Sequence, residues 1–431
     1  MKTLVRFALH VGALSVGAAV VLLGGCNTQT APGASASEHS GVAAVHEPTL
    51  KSAADDLVFI DPPAKAGAFA PGIFATRDSV LLVWMEPVAT PNAQEQPRRR
   101  QLRWSEWTEQ GWSAPETIVA GEDFFANWAD TPMIARDSKG RTLVSFARKS
   151  GADTYAYDVV LARKDAPDVD WTVLGSPHRD NTPTEHGFVS MVPRRDGVQV
   201  VWLDGRHYAA PSKGPMTLRT AFVGDEIQEG AELDGRVCDC CNTAAALVDQ
   251  RLLVLYRDRD QDEFHDMAFV QETAQGWSAP RSLHVDGWNI AGCPVNGPAV
   301  HNAQGQIWAA WYTGADEKST IKASVADPGS SFKPPFVVAQ SSGQDAPLGR
   351  VAVASLNQDE VVVVWLAGLS EGAVWRARRL SSHGRLGASV DIVPAIRAHK
   401  WLCQARAHQA RVDACVHRRQ RETHAFAGCK P

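Results

Sequence analysis

Four cysteines in the body of the chain carry the most unusual chemistry that the sequence offers. Cys238, Cys240 and Cys241 stand together as Cys-Asp-Cys-Cys, and Cys293 follows 52 residues after the last of them. Clustered thiolates favour a soft ion, Cu(I) or Zn(II), with His186 or His207 as a further ligand. In an oxidising compartment the same residues would form one or two disulfides instead. Cys238 or Cys241 could then pair with Cys293, whereas the adjacent Cys240 and Cys241 could pair only as a strained vicinal bridge.

Other short segments concentrate charge and aromatic surface. They are Trp128-Ala-Asp130, Glu185-His186, Asp204-Gly-Arg206-His207, Arg257-Asp258-Arg259-Asp260 and His265-Asp266. Alternating Arg and Asp more often pair with one another or face solvent than bind a ligand. Single histidines such as His207, His265 and His301 are ordinarily solvated or hydrogen-bonded. Trp288, between Gly287 and Asn289, suits stacking on a sugar and packing at a junction equally well.

What must position these segments is a repeat. Apolar stretches of period two end on an aromatic at Val80–Trp84, Thr142–Phe146, Val198–Trp202, Leu252–Tyr256, Ile307–Trp311 and Val361–Trp365. The aromatic anchors lie 62, 56, 54, 55 and 54 residues apart. Turns rich in Asp, Asn, Gln and Gly precede them, and further strand candidates such as Thr217–Val223 and Ile321–Val325 follow. No long amphipathic helix interrupts the body. Short strands at such a period predict an all-β ring, a β-propeller with one four-stranded repeat per blade. In that ring the loops joining strand four to the next strand one share a face with the loops joining strands two and three. The segments above fall in or beside those loops, so they should gather at one end of the central channel.

Over residues 56–394 the chain resembles the sialidase-like propellers built of BNR repeats. The resemblance rests on two copies of Gly-Trp-Ser-Ala-Pro, at 111–115 and 276–280, with Asp170-Trp171-Thr172 as a looser echo. It implies that Trp112 and Trp277 are pegs between blades. It also invites comparison with the arginine cluster, Tyr/Glu pair and acid through which sialidases bind a carboxylate and cleave. Arg206, Arg257 and Arg259, beside Tyr208 or Tyr256 and with Asp258, are the candidates. The arginine-led motif expected in the first repeat is replaced by Phe69-Ala-Pro-Gly72, and the three arginines occupy only two neighbouring repeats. Binding therefore ranks above hydrolysis.

The ends of the chain differ from its body. Lys2 and Arg6 precede an apolar run from Phe7 to Leu23, which is too short for a confident membrane span. The run closes on Leu23-Gly24-Gly25-Cys26, which resembles the lipobox of bacterial lipoproteins. That resemblance implies lipidation of Cys26 and, with Asn27 rather than an aspartate next, an outer-membrane location in preference to the inner membrane. Residues 27–54 lack periodicity and read as a flexible tether. From residue 395 onward strand alternation stops, and a basic tail holds Cys403, Cys415, Cys429 and four histidines. Its cysteine spacing lacks the close pairs of ordinary zinc sites. A reading frame shifted near residues 395–400, replacing a last repeat, explains it better, and the ancestral ring could then have had seven blades. The first 26 residues carry +2 and residues 395–431 carry +6, leaving −13 for the body of a chain whose net charge is −5. That argues against nucleic acid as a partner.

The expectation is thus a lipid-anchored envelope protein with a propeller over residues 55–394 and a ligand-binding face. The face would handle copper or another thiophilic metal through its cysteines. The alternative is an exo-sialidase-like glycoside hydrolase or a glycan-binding lectin, and the third class is a structural interaction platform held by disulfides.

Overall fold

Each repeat folds back on itself because alternating residues give one strand face to a core and tight turns reverse the chain. In Asp137-Ser-Lys-Gly140 the Asp137 carboxylate accepts the backbone N–H groups of Lys139 and Arg141, at 2.9 and 3.0 Å. Gly140 takes the left-handed φ of 82° that the turn needs. The computed structural model describes residues 60–392 apart from 89–98, 210–213, 304, 358 and 371, together with 4–6, 22–24, 50, 52 and 53. Cys26, nearly all of the tether, Leu57–Phe59 and the tail from 395 lie outside the described residues.

Apart from a short pair, Leu4–Arg6 with Leu22–Gly24, the described strands form six antiparallel sheets. The first comprises Phe69–Ala75, Val80–Pro87, Arg100–Thr108 and an outer strand split into Gly111–Trp112 and Glu116–Gly121. The second comprises Met133–Arg136, Thr142–Lys149, Tyr157–Lys164 and Thr172–Gly175, and the third His186–Arg194, Gly197–Asp204, Thr217–Val223 and Ile227–Asp234. The fourth comprises Ala244–Val248, Arg251–Arg257, Met267–Thr273 and again a split outer strand, Gly276–Trp277 and Arg281–His284. The fifth comprises Ala299–Ala303, Gln306–Thr313, Ser319–Ala326 and Phe336–Ser341, and the sixth Pro347–Ser355, Glu360–Gly368, Ala373–Ser381 and Val390–Asp391. Both splits fall at the Ser-Ala-Pro of the repeated motif, where proline cannot donate to the ladder.

From the first sheet to the sixth, the leading strand of each touches that of the next, so these strands line the axis. Apolar clusters fill the spaces between successive sheets. A further cluster joins Val362, Val364 and Trp375 of the sixth sheet to Ile73 and Val80 of the first, with Ala53 and Ile392. The ring is closed, and the fold is a β-propeller. Trp112 packs against the closing cluster and Trp277 against the one between the third and fourth sheets, so both are pegs between sheets as expected. Ile60 also packs there. The outer strand of the sixth sheet is Val390–Asp391, paired with Arg376 and Ala377.

All six aromatic anchors lie in second strands and are buried. Three tryptophans satisfy their ring N–H through an acid. Trp84 donates to Glu86 at 3.1 Å, Trp202 to Asp204 at 2.8 Å and Trp311 to Asp286 at 2.7 Å. Truncating one such anchor to alanine would cost about 3–5 kcal/mol.

Three leading strands share one irregularity. Their pairing slips between Phe69 and Gly72, between Gly187 and Ser190, and between Gly349 and Ala352. The second residue of each bulge, Ala70, Phe188 and Arg350, has a φ of 51°, 56° and 56°. Left-handed backbone is uncommon for such residues, and bulges re-aim side chains. The described helical elements include the short 3-10 turns Arg206–Ala209 and Ala315–Glu317, and among the described residues no helix is long and apolar enough to cross a membrane.

Candidate functional site

The connections between sheets and the loops between second and third strands meet on one face, as the ring geometry requires. Arg259 of the fourth sheet reaches Asp239 in the connection before it, and Arg206 of the third reaches Asp180. Several groups of side chains lie on or beside this face.

The sulfur group lies between the third, fourth and fifth sheets. Cys240 and Cys293 form a disulfide across a Cα separation of 6.1 Å, within the ordinary span of such bonds. This differs from the expected pairing of Cys293 with Cys238 or Cys241. Both of those remain buried thiols, with Cys238 Sγ 4.0 Å from Cys240 Sγ. Burial and then the Cys241 sulfur push the Cys238 thiol up. Burial works the same way on Cys241, but the Cys238 hydrogen bond, the Arg257 charge and the Asn296 backbone N–H outweigh it and hold Cys241 below the ordinary thiol value. Among the described residues no histidine joins these sulfurs. With the disulfide formed, two thiols are left, fewer than a closed soft-metal site uses.

His186 and His207, expected as further ligands, stand elsewhere. His207 Nε2 lies 3.6 Å from Glu232. His186 is enclosed, stacked on His178 with ring centroids 3.9 Å apart and an interplanar angle of 8°. Its Nδ1 lies 3.4 Å from Asp158, and its Nε2 3.2 Å from Asp180 and 3.7 Å from Asp204. Burial lowers its pKa, but the hydrogen bonds to Asp158 and Asp180 prevail and raise it to about 9. Stacked rings hold their nitrogen lone pairs parallel rather than convergent on one ion, so a protonated His186 neutralising carboxylates fits this cluster better than a metal. Sequence reading missed His178, Asp180 and Asp158, since neither spacing nor pattern connects them.

The three expected arginines do not form a common anion clamp. Arg257 is buried, and its guanidinium is taken up by the backbone carbonyls of Asn296, His265 and Tyr312, at 2.8, 2.5 and 2.6 Å. It also lies 4.8 Å above Trp288, whose other contact is the edge of Tyr312, so Trp288 packs rather than faces a ligand. Arg206 grips Asp204 through two bonds of 2.7 and 2.8 Å. Arg259 is shared between Glu263 and Asp239. Tyr256 is buried and donates to Asp234 at 2.6 Å, and burial pushes the Asp258 carboxyl to about 6. Burial and then the Asp239 carboxylate push the Tyr208 phenol up. The structure thus gives Arg206, Arg257, Arg259, Asp258 and Tyr256 partners of their own.

A different tyrosine meets two acids. Tyr157 donates to Glu185 Oε1 at 3.0 Å, and beside it Asp130 accepts the Phe188 N–H through Oδ1 at 2.9 Å while its buried Oδ2 has no hydrogen-bond partner. Burial lifts Glu185 to about 8 and Asp130 to about 6. Tyr157 is wholly enclosed, however, with Phe125 stacked on it at 3.9 Å.

The axis presents the open chemistry. A cavity among the leading strands of the third to sixth sheets is lined by Ser190, Asn242, Thr243, Asn296 and Arg350. Arg350 is the bulge residue of the sixth sheet. Its guanidinium lies 4.3 Å above the ring of Trp128, which reaches over from the connection between the first and second sheets and stays 44% exposed. Arg350 Nη2 is buried without a hydrogen-bond partner, and no carboxylate pairs with this side chain among the described residues. Burial lowers its pKa to about 10, which leaves it charged at neutral pH.

No protein-family model matches the chain, and no curated protein does. Solved structures share its general arrangement. AofleA from Arthrobotrys oligospora is 12% identical with a TM-score of 0.45, covering 74% of this chain and 83% of its own. A protein of unknown function from Dyadobacter fermentans is 9% identical with a TM-score of 0.45, covering 75% and 94%. The six-bladed fucose-recognising lectin of Aleuria aurantia is 12% identical with a TM-score of 0.40, covering 75% and 95%. These likenesses concern a ring of sheets and assign no ligand.

Proposed function

We propose that this propeller binds a carboxylate-bearing sugar, such as the terminal acid of a glycan, at the axial cavity, and that lipidated Cys26 holds it at the bacterial envelope. The observation that carries the binding reading is Arg350, a guanidinium without a carboxylate, aimed by a bulge into a cavity and covered by Trp128. A carboxylate would supply the missing partner of Nη2 through a charge-assisted bond. The exposed face of Trp128 and the amide and hydroxyl groups of Asn242, Asn296, Ser190 and Thr243 suit a sugar ring.

Calorimetric titration tests this with N-acetylneuraminic and glucuronic acids against neutral fucose. The acids should bind more tightly, and Arg350→Gln should weaken them by about 10- to 100-fold, as expected for a hydrogen bond to a charged group. Equal affinity for fucose, or an unchanged affinity in Arg350→Gln, would reject the reading.

Hydrolysis is the second reading, motivated by Tyr157 between Glu185 and Asp130. Enclosure of Tyr157 weighs against it, because a nucleophile must touch the sugar. Turnover of a fluorogenic sialoside, lost in Tyr157→Phe, would restore it.

A further inference from the structure

We propose that Cys238, Cys240, Cys241 and Cys293 form an internal thiol–disulfide exchange unit that can deliver a reactive thiol to the surface at Cys293. The proposal stands apart from the anion reading and rests on placement. The four cysteines are not equivalent. Cys238, Cys240 and Cys241 are buried, and their sulfurs all lie within 4.8 Å of one another, whereas Cys293 is exposed within the connection from the fourth sheet to the fifth. A purely structural bridge needs neither of the two extra thiols beside its buried half. Here one thiol, Cys238, sits 4.0 Å from the bridged Cys240 sulfur.

The exchange balances without an outside reagent. Cys238 gives its proton to the Cys241 sulfur, which lies within 4.8 Å of it, and its own sulfur attacks Cys240 Sγ. The Cys238–Cys240 bond forms, the Cys240–Cys293 bond breaks, and Cys293 leaves as the thiolate. Two thiol equivalents and one disulfide stand on each side. Arg257 and the Asn296 N–H favour charge on Cys241, so Cys241 stands as the thiolate that can take this proton, although the transfer from the less acidic Cys238 is uphill. Attack by Cys241 itself would close a strained vicinal ring, so Cys238 is the nucleophile. The released Cys293 can then form a mixed disulfide with a small or protein disulfide from solution.

The folded full-length protein, treated with excess N-ethylmaleimide at pH 8 and mapped by peptide mass spectrometry over time, tests this. The expected map shows maleimide on Cys293 together with a new Cys238–Cys240 disulfide. Cys238→Ser should slow labelling of Cys293 by at least about tenfold, because the attacking sulfur is gone. A Cys240–Cys293 bond that stays intact while Cys238 and Cys241 take the label would overturn the proposal. So would undiminished labelling of Cys293 in Cys238→Ser. If that variant does not melt as a folded protein, the wild-type map decides alone.

Discussion

Buried acids and a buried imidazolium set how this face responds to pH. Burial raises Glu185 from 4.5 to about 8 and Asp130 from 3.8 to about 6, and His186 is raised from 6.5 to about 9 by its carboxylate partners despite burial. All three hold more protons folded than unfolded, so each makes stability fall as pH rises. The His186 contribution is fully present below pH 6.5 and is lost as pH rises through 9. For Glu185 the loss runs between 4.5 and 8. Asp180 and Asp204 act in the opposite sense. Burial raises them, but His178, His186 and Thr182 around Asp180, and Arg206 beside Asp204, prevail and hold both below the usual carboxylate range. Their stabilisation is lost as pH falls. Urea midpoints should therefore peak in mildly acidic solution and decline from about pH 5 to 9. Glu185→Gln should flatten the decline below pH 8, and an unchanged slope would show that Glu185 does not carry it.

The bulged leading strands are the devices that place these groups. Gly187 lets the third sheet approach the second so closely that an added Cβ would lie 2.0 Å from Asp130 Oδ2 and 2.8 Å from the Tyr157 hydroxyl. Gly187→Ala should therefore destabilise by about 1–3 kcal/mol. Gly292→Ala, whose new methyl would meet nothing nearer than 3.9 Å, should change the urea midpoint little and serves as the comparison. Equal midpoints for the two variants would mean that the junction yields to the extra atom. The same bulges explain what could be read in advance. Second strands and their aromatic anchors were legible because period two and a buried aromatic are local patterns. Arg350 was hidden, since Gly349-Arg350-Val351 reads as plain strand until the register slip aligns it with Phe69-Ala70-Pro71. The arginine missing from the first sheet has a counterpart at the matching bulge of the sixth. Partner choice was equally non-local: Cys240 rather than its neighbours reaches Cys293, and Arg257 is spent on carbonyls that come from three separate segments.

For the molecule as a whole, closure of the ring decides how much of the chain it needs. A propeller with an open seam would expose two sheet faces and lose an apolar interface comparable to the others. Here the seam is filled by Val362, Val364, Trp375 and Ile392 against Ile73 and Val80, all of them before residue 393. A chain ending at Ile392 should therefore keep a single cooperative thermal transition, with a midpoint within about 2 °C of the full-length protein, which for a domain of this size is about 1.4 kcal/mol. Trp375→Ala, which hollows the seam itself, should lower the midpoint well beyond that, since large aromatic truncations cost about 3–5 kcal/mol. The two results together separate a ring closed by its own six sheets from one that depends on the basic tail. If truncation lowered the midpoint as far as Trp375→Ala does, the tail would have to supply contacts at the seam, and its origin in a shifted reading frame would become untenable.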